Sequence, residues 1–187
     1  GEYCTMIIAV DGPTASGKGT IAKALADRFG LPHLDTGLLY RAVGWHVFLE
    51  SGNPDNPCDA KMGTAFHDDL LKSEELRSED VGALASRVSV HPEVRQALLE
   101  RQRKFAQQAG GAVLDGRDIG TVICPDADVK LFVTASLDAR TDRRFAELKG
   151  QGRDVTREEV HGQIARRDER DIEREDSPLK PAPDAYI

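Results

Sequence analysis

The sequence is poor in cysteine and has no long apolar run. Its three cysteines, Cys4, Cys58 and Cys124, are odd in number and form no C-x-x-C pair. This argues against a disulfide framework or a zinc site, and it predicts reduced thiols in a cytoplasmic protein. No apolar run reaches the roughly 20 residues of a membrane helix, and no signal peptide is visible. We therefore expect no membrane partner.

Positive charge is also in deficit, since the formal net charge is -7. This balance argues against a general nucleic-acid binder, which gains affinity from net positive charge. The five histidines have no metal-ligand spacing, and no nucleophile–histidine pair indicates covalent catalysis. The 187 residues are enough for one compact α/β domain and few for two.

A glycine-rich run is the most informative segment. Residues 6–10 predict a buried strand, and the spacing G-x-x-x-x-G-K follows at 12–18. The helix expected next ends at Gly30 and has five apolar residues on one face: Ile21, Ala22, Leu25, Ala26 and Phe29. Strand, loop and helix in this order are the context of a phosphate-binding loop. A turn that merely joins strand to helix is the alternative.

The backbone amides of such a loop and the helix N-terminus form a positive nest for nucleotide phosphates. Lys18 adds a mobile charge that can follow a transferred phosphoryl group. Because Gly19 follows Lys18, the usual magnesium hydroxyl is missing at that position. Either Thr20 substitutes for it, or the metal is held through water and phosphates. The expected nucleotide-binding residues are Gly12, Pro13, Thr14, Ala15, Ser16, Gly17, Lys18, Gly19 and Thr20.

Four apolar runs, at 6–10, about 33–35, 112–115 and 129–133, predict one parallel sheet with helices between its strands. Residues 185–187 would begin a fifth, edge strand, which we expect to be incomplete in this sequence. About seventy residues separate the second and third strands, far more than one crossover needs. They predict a helical lobe that covers a substrate. It contains a turn cluster at 51–57, then polar and weakly periodic sequence to about residue 80, and a better helix after Pro92.

Besides this lobe, we expect a mobile element around the glycine-rich segment 149–153. It lies between a helix that starts near Ser136 and one whose start is fixed by the capping-box spacing of Thr156 and Glu159. Three arginines precede it, and a closing lid would bring them to the charge on a transferred phosphoryl group. They are Arg140, Arg143 and Arg144.

A polar cluster follows the second predicted strand, which we expect beside the first. Its residues should then face the same crevice as the phosphate loop. Thr36 can offer a hydroxyl to a phosphate, and Arg41 a bidentate fork. Alternatively, Asp35 or Thr36 only caps a helix and Arg41 is solvated.

Two more charged clusters occur. The sequence Asp-Gly-Arg-Asp follows the third strand, so Arg117 could hold a phosphate and Asp118 could accept from an exocyclic amine; a local Arg–Asp pair is the alternative. Arg167, Asp171 and Arg174 are spaced i, i+4 and i+7 and share one helical face. From spacing alone, a charge-laced solvated helix explains them equally well.

These segments resemble the P-loop nucleoside monophosphate kinases, and within them the bacterial cytidylate kinases, over nearly the whole chain. The segment G-P-x-x-x-G-K-G-T at 12–20 is shared with several such kinases. Typical of the cytidylate branch are L-D-T-G at 34–37, Y-R at 40–41, D-G-R-D-x-G-T-V at 115–122 and R-D-x-R-D at 167–171. The resemblance implies a three-layer α/β/α domain with a five-stranded parallel sheet, a CMP-binding lobe at about 38–108 and a lid at about 146–160. This lobe is shorter than in the longer family members.

The resemblance also implies the chemistry: ATP as phosphoryl donor, Mg²⁺, CMP or dCMP as acceptor, and a monomer. Lys18, Arg143 and Arg144 would be catalytic. The acceptor CMP would be surrounded by Thr36, Arg41, Arg117 and Arg174, with the three arginines on its phosphate. Its cytosine would contact Ser86, Arg95 and Asp118, and its sugar hydroxyls Arg167 and Asp171. A carboxylate accepts from the cytosine N4 amine, whereas uracil offers the opposite pattern and would leave buried groups unpaired. The alternatives are a kinase for UMP or a hydroxylated metabolite, and an ATPase or regulatory module without a second pocket.

Overall fold

Four parallel strands form the central sheet of the part of the chain, residues 4–187, that the computed structural model describes. In chain order they are β1 (Met6–Asp11), β2 (His33–Asp35), β3 (Gly111–Gly116) and β4 (Val129–Phe132), and in space they follow the order β2-β3-β1-β4. The four predicted runs are confirmed to within about one residue at each end, within the usual uncertainty of element boundaries.

The prediction that β2 lies beside β1 is wrong. β3 lies between them and pairs with both. All six residues of β3 are buried, whereas the three of β2 are half-buried, because a central strand is covered on both faces and an edge strand is not. The carboxyl ends of all four strands still meet at one edge of the sheet.

The predicted fifth strand begins at the β4 edge. Tyr186 forms a parallel bridge with Leu131. The Tyr186 amide donates to the Lys130 carbonyl at 2.9 Å, and the Phe132 amide donates to the Tyr186 carbonyl at 2.7 Å. The sheet thus has four strands and the start of a fifth within the described residues.

Both faces of the sheet are covered, since alternate strand residues point to opposite sides. On one face Ile8, Val10 and Val113 pack against Ala22 and Ala26 of α1 (Lys18–Phe29). On the other, Ala9, Ala112 and Leu114 pack against Ala106 of α5 (Pro92–Ala106) and against Ile119 and Ile123. This confirms the three-layer fold. Ile21 and Phe29, however, are exposed, because the buried stripe of α1 is a narrow one built on alanines.

The long connection between β2 and β3 is helical, as predicted. It contains α2 (Thr36–Leu49), α3 (Pro57–Gly63), two 3₁₀ turns (Asp68–Lys72 and Glu74–Arg77), α4 (Glu79–Val88) and α5. These elements share an apolar core of their own, which includes Leu39, Val43, Leu76, Val81, Val88 and Leu98. The weakly periodic sequence from 57 to about 80 gave no sign of α3, which starts at the Asn56 cap and Pro57 and is only seven residues long, and α4 was not predicted either.

The last two helices are α6 (Leu137–Gly150) and α7 (Arg157–Glu173). Ser136 caps α6, and the capping box of Thr156 and Glu159 at the start of α7 is confirmed. The two helices pack through Leu148, Val160 and Ile164. Within residues 4–187, no helix combines the length and the apolar character that crossing a membrane requires.

Candidate active site

The loop between β1 and α1 has a backbone that few residue types allow. Gly17 has φ 90° and even Ala15 has φ 58°, both in the left-handed region that disfavours side chains. A Cβ atom on Gly12 would collide with the Val133 carbonyl oxygen, and one on Gly17 would lie 2.6 Å from Nη1 of Arg143. The loop therefore turns tightly from the strand into the helix N-terminus, as a phosphate-binding loop does.

Lys18 begins α1 and folds back over the loop. Its Nζ donates to the Pro13 carbonyl at 3.4 Å. Thr14 and Ser16 are buried, and the Ser16 hydroxyl has no hydrogen-bond partner among the described residues. Thr20, the possible magnesium ligand, is exposed in the first turn of the helix.

One pocket beside this loop gathers all nine predicted acceptor-binding residues. It lies where the carboxyl ends of β2 and β3 meet α2, α4, α5 and α7. Five arginines and two aspartates line it. The predicted residues in its wall are Thr36, Arg41, Ser86, Arg95, Arg117, Asp118, Arg167, Asp171 and Arg174.

The cluster after β2 enters the pocket from the start of α2. Asp35 caps this helix by accepting the Gly37 amide, and the buried Thr36 hydroxyl donates to the Asp115 carbonyl at 2.7 Å. Arg41 is not solvated. Its Nη1 donates to the carbonyls of Leu76 at 2.6 Å and Ser78 at 3.0 Å, which ties α2 to the segment before α4. The capping alternative is therefore right for Asp35 and wrong for Arg41.

Charged residues after β3 pair with distant partners. Asp118 accepts from Nη2 of Arg95 on α5 at 2.5 Å, and both side chains are about 95% buried. Arg117 instead donates from Nε to Asp171 on α7. The alternative of a local Arg117–Asp118 pair is thus wrong, because each residue is bound to a helix that closes one side of the pocket.

The predicted face of α7 is not a solvated surface. Asp171 and Arg174 are buried, and Arg174 donates from Nε to the Ser177 carbonyl at 2.6 Å. Arg167, one turn before Asp171, lines the same pocket. Arg174 is the C-cap of the helix rather than part of it. Its position relative to Arg167 therefore matches the predicted i+7 helical spacing only approximately.

The α6 arginines sit in three different environments. Arg140 makes two hydrogen bonds to Asp168 of α7, at 2.9 and 2.6 Å, and one each to the carbonyls of Thr14 in the loop and Ala135. Arg143 lies over the loop, with Nη1 3.4 Å from the Ala15 carbonyl. Arg144 forms ion pairs with Glu79 of α4 and Glu147. Arg143 and Arg144 do not line the acceptor pocket.

A phosphate-binding loop beside an arginine-lined pocket suits two phosphate-bearing ligands. Known sequences that resemble this chain identify its family. The family model described as cytidylate kinase matches residues 8–187. The chain belongs to the cytidylate kinase family.

Named relatives agree with this membership. A cytidylate kinase of Granulibacter bethesdensis is 53% identical over 183 residues, 97% of this chain and 87% of the relative. A cytidylate kinase of Methylocella silvestris is 54% identical over 184 residues, 97% and 85% of the two chains. The crystal structure of an uncharacterized protein from Eubacterium ventriosum superposes with a TM-score of 0.51 at 17% identity over 96% of this chain and 82% of that one, and so shares the fold.

In this family member the pocket holds cations that repel one another. Burial and the charges of Arg117 and Arg41 lower the pKa of Arg167 to about 9, and burial and Arg95 lower that of Arg174 to about 10. Burial and Arg117 also lower the pKa of Lys18, which lies in the phosphate loop beside the pocket, to about 8. An anion between these groups would favour their charged forms and relieve the repulsion.

Several buried polar atoms of the pocket residues also have no hydrogen-bond partner among residues 4–187. They include Oγ of Ser86, Nε of Arg95 and Nη2 of Arg174. Buried polar groups in folded proteins nearly always have a hydrogen-bond partner, so these atoms have donor or acceptor capacity left for a ligand or water. These three atoms belong to two residues predicted to contact cytosine and one predicted to contact phosphate.

Two residues of the site had no predicted role: Tyr40, known only as part of the Y-R motif, and Asp11. The ring of Tyr40 lies under Arg95, with the guanidinium carbon 5.2 Å from the ring centroid, and burial raises the pKa of Tyr40 to about 12. Asp11, at the end of β1, is buried and accepts backbone amides that follow Asp118. A carboxylate at the end of a buried strand, directly before the phosphate loop, was the signal available for Asp11.

Proposed function

We propose that this protein transfers the γ-phosphoryl group of ATP to CMP or dCMP and releases ADP and CDP or dCDP. One observation carries the proposal: five arginines and two aspartates line one pocket, and its Gly116 carbonyl accepts the amide of Gly12 in the phosphate loop at 3.2 Å, in a chain that belongs to the cytidylate kinase family. An ATPase or regulatory module needs no such second pocket.

The acceptor phosphate binds to Arg41, Arg117 and Arg174, with the Thr36 hydroxyl nearby. Guanidinium forks suit a phosphate because they donate two parallel hydrogen bonds with full charge. The lowered pKa of Arg174, caused by burial and Arg95, supports this assignment because a dianion would offset that repulsion. Arg167 and Asp171 then contact the sugar hydroxyls from α7.

The base is recognised by Ser86, Arg95 and Asp118. The Asp118 carboxylate accepts from the N4 amine, and Arg95 donates to the N3 and O2 acceptors of cytosine. The Arg95–Asp118 pair, at 2.5 Å, holds both groups before the base arrives. UMP would set its N3–H donor against Arg95 and its O4 acceptor against Asp118, so selection against UMP follows from unpaired buried groups.

ATP binds with its phosphates in the loop of residues 12–20. The acceptor oxygen is already ionised, so no general base is needed, and catalysis consists of alignment and charge neutralisation. Lys18, Arg143 and Arg144 carry the neutralising charge. Arg143 and Arg144 lie on α6 just before a lid at about 146–160, and Arg144 is paired with Glu79. Residues 38–108 form the CMP-binding lobe.

Magnesium is the cation we expect with ATP. The Thr20 hydroxyl, exposed in the first turn of α1, is the candidate protein ligand, and water and the nucleotide phosphates would supply the other ligands. When bound, the metal would neutralise charge on the nucleotide phosphates. We also propose that the reaction takes place in the cytoplasm and in a monomer.

A coupled assay of ADP release tests the proposal across CMP, dCMP, UMP, AMP and shikimate. We expect turnover with CMP and dCMP, and rates at least about a hundredfold lower with the other acceptors, because each leaves buried groups unpaired. Fast turnover of UMP or shikimate would favour a kinase for that acceptor. Release of ADP without any phosphorylated acceptor would favour an ATPase.

ATP binding should weaken at alkaline pH because Lys18 has a pKa of about 8 in the free protein. Phosphates favour the charged lysine, so binding takes up a proton above pH 8. The Kd for ATP should rise about tenfold between pH 7 and pH 9, as calorimetry can measure. In Lys18→Arg the charge persists and this rise should disappear; an equal rise in both proteins would contradict the assignment.

A further inference from the structure

A short π-helical turn, Ile119–Ile123, follows Asp118 directly. The Asp118 carbonyl accepts the amides of Val122 at 2.9 Å and Ile123 at 3.1 Å. Such turns leave amides at the start and carbonyls at the end without partners inside the helix, and they are frequent at functional sites. The backbone of the base-binding aspartate is therefore part of this turn.

Asp11 holds the first end of the turn. Its Oδ1 accepts the Ile119 amide at 2.9 Å, and its Oδ2 accepts the Gly120 amide at 2.8 Å. The carboxylate is 5% exposed and uses both oxygens for the two amides after Asp118. A buried carboxylate is costly unless its hydrogen bonds compensate, so this arrangement favours one position of the turn.

Arg103 holds the other end. Its Nε donates to the Ile123 carbonyl and its Nη2 to the Val122 carbonyl, both at 3.1 Å. Arg103 belongs to α5, the helix that also carries Arg95. Arg95 and Asp118, the predicted cytosine contacts, are thus connected in two ways. They form an ion pair with each other, and Arg103, on the same helix as Arg95, binds the turn that follows Asp118.

We propose that Asp11 and Arg103 are positioning residues that clamp the turn 119–123 from its two ends and thereby fix Asp118 for cytosine over uracil. The inference rests on the proposed function, in which Asp118 accepts from the N4 amine. Neither Asp11 nor Arg103 lines the acceptor pocket, so both act through Asp118. Loss of a clamp lets the turn shift, and the carboxylate no longer stands opposite the amine.

Arg103→Met tests the clamp because it removes the donors and keeps an apolar stem. The ratio of kcat/KM for CMP to that for UMP should fall about tenfold, the effect of losing hydrogen bonds to a positioned group, while KM for ATP stays unchanged. Arg103→Lys, which can donate to one carbonyl, should recover part of the ratio. Lys104→Met, exposed on the same helix, is the matched control and should keep the ratio of the unmodified protein.

A double-mutant cycle that combines Arg103→Met with Asp118→Ala distinguishes a positioning role of Arg103 from a general effect on the structure. Asp118→Ala alone should lower the ratio about a hundredfold, and adding Arg103→Met should lower it no further, since the group it positions is gone. Independent losses that multiply would overturn the positioning role. An unchanged ratio in Asp118→Ala would instead overturn the proposed base recognition. Asp11→Asn, whose amide would face a backbone N–H, should repeat the result; thermal unfolding of each variant identifies any that is not folded.

Discussion

Lys18→Met lowers kcat about a thousandfold, the loss expected when a charge that stabilises the transferred phosphoryl group is removed. The protein should stay folded. In the free protein burial and Arg117 lower the pKa of Lys18 to about 8, so the charge costs stability and methionine should keep or raise the Tm. Steady-state kinetics with CMP and a thermal unfolding curve measure both effects.

Controls locate this effect in the charge at the loop. Lys23→Met changes an exposed lysine later on the same helix and should leave kcat unchanged. Lys18→Arg keeps the charge in a different shape and should retain more activity than Lys18→Met. A kcat within tenfold of normal in Lys18→Met would contradict the catalytic role, and a change in the KM for ATP alone would reduce Lys18 to a binding residue.

Arg174→Met weakens CMP binding about thirtyfold to a hundredfold, the range for losing a charge-assisted hydrogen bond, and leaves cytidine binding unchanged. Arg174 is buried, its Nη2 has no partner among the described residues, and repulsion from Arg95 adds to burial in lowering its pKa. These properties suit a phosphate ligand. Calorimetric titration with CMP and with cytidine measures the difference.

A neighbouring arginine provides the control for this variant. Arg170 lies on α7 but is exposed, so Arg170→Met should bind CMP normally. The Arg174→Met protein also loses the hydrogen bond to Ser177, and Arg174→Lys, which keeps the charge, should recover part of the CMP affinity. Equal losses for CMP and cytidine in Arg174→Met would show that the arginine supports the pocket rather than the phosphate.

The strands and the phosphate loop could be predicted from the sequence because local patterns determine them. Short apolar runs such as 112–115 match a buried strand, and Thr156 with Glu159 fixes a helix start within one turn. Strand order is not local: β2 lies beside β3 and not β1, and such pairing joins residues that are far apart in the sequence. α3 was missed because only seven residues form it, too few for a periodic pattern to stand out.

The site was predicted mainly through a family resemblance, because spacing left its clusters open. Arg117 pairs with Asp171, 54 residues later, and no local pattern distinguishes that partner from the adjacent Asp118. Arg103 and Asp11 went unnoticed for the same reason, since each acts on a turn distant in sequence. A helix full of charges hides which of them are buried, as Arg167 and Arg170 in α7 illustrate.

Three arginines of one pocket, Arg41, Arg117 and Arg174, are proposed to bind a single acceptor phosphate. Titration of the unmodified protein with CMP and with cytidine tests this proposal most directly, because the two ligands differ only in that phosphate. We predict that CMP binds at least about a hundredfold more tightly, as expected for several charge-assisted hydrogen bonds. Equal affinities for the two ligands would contradict the account.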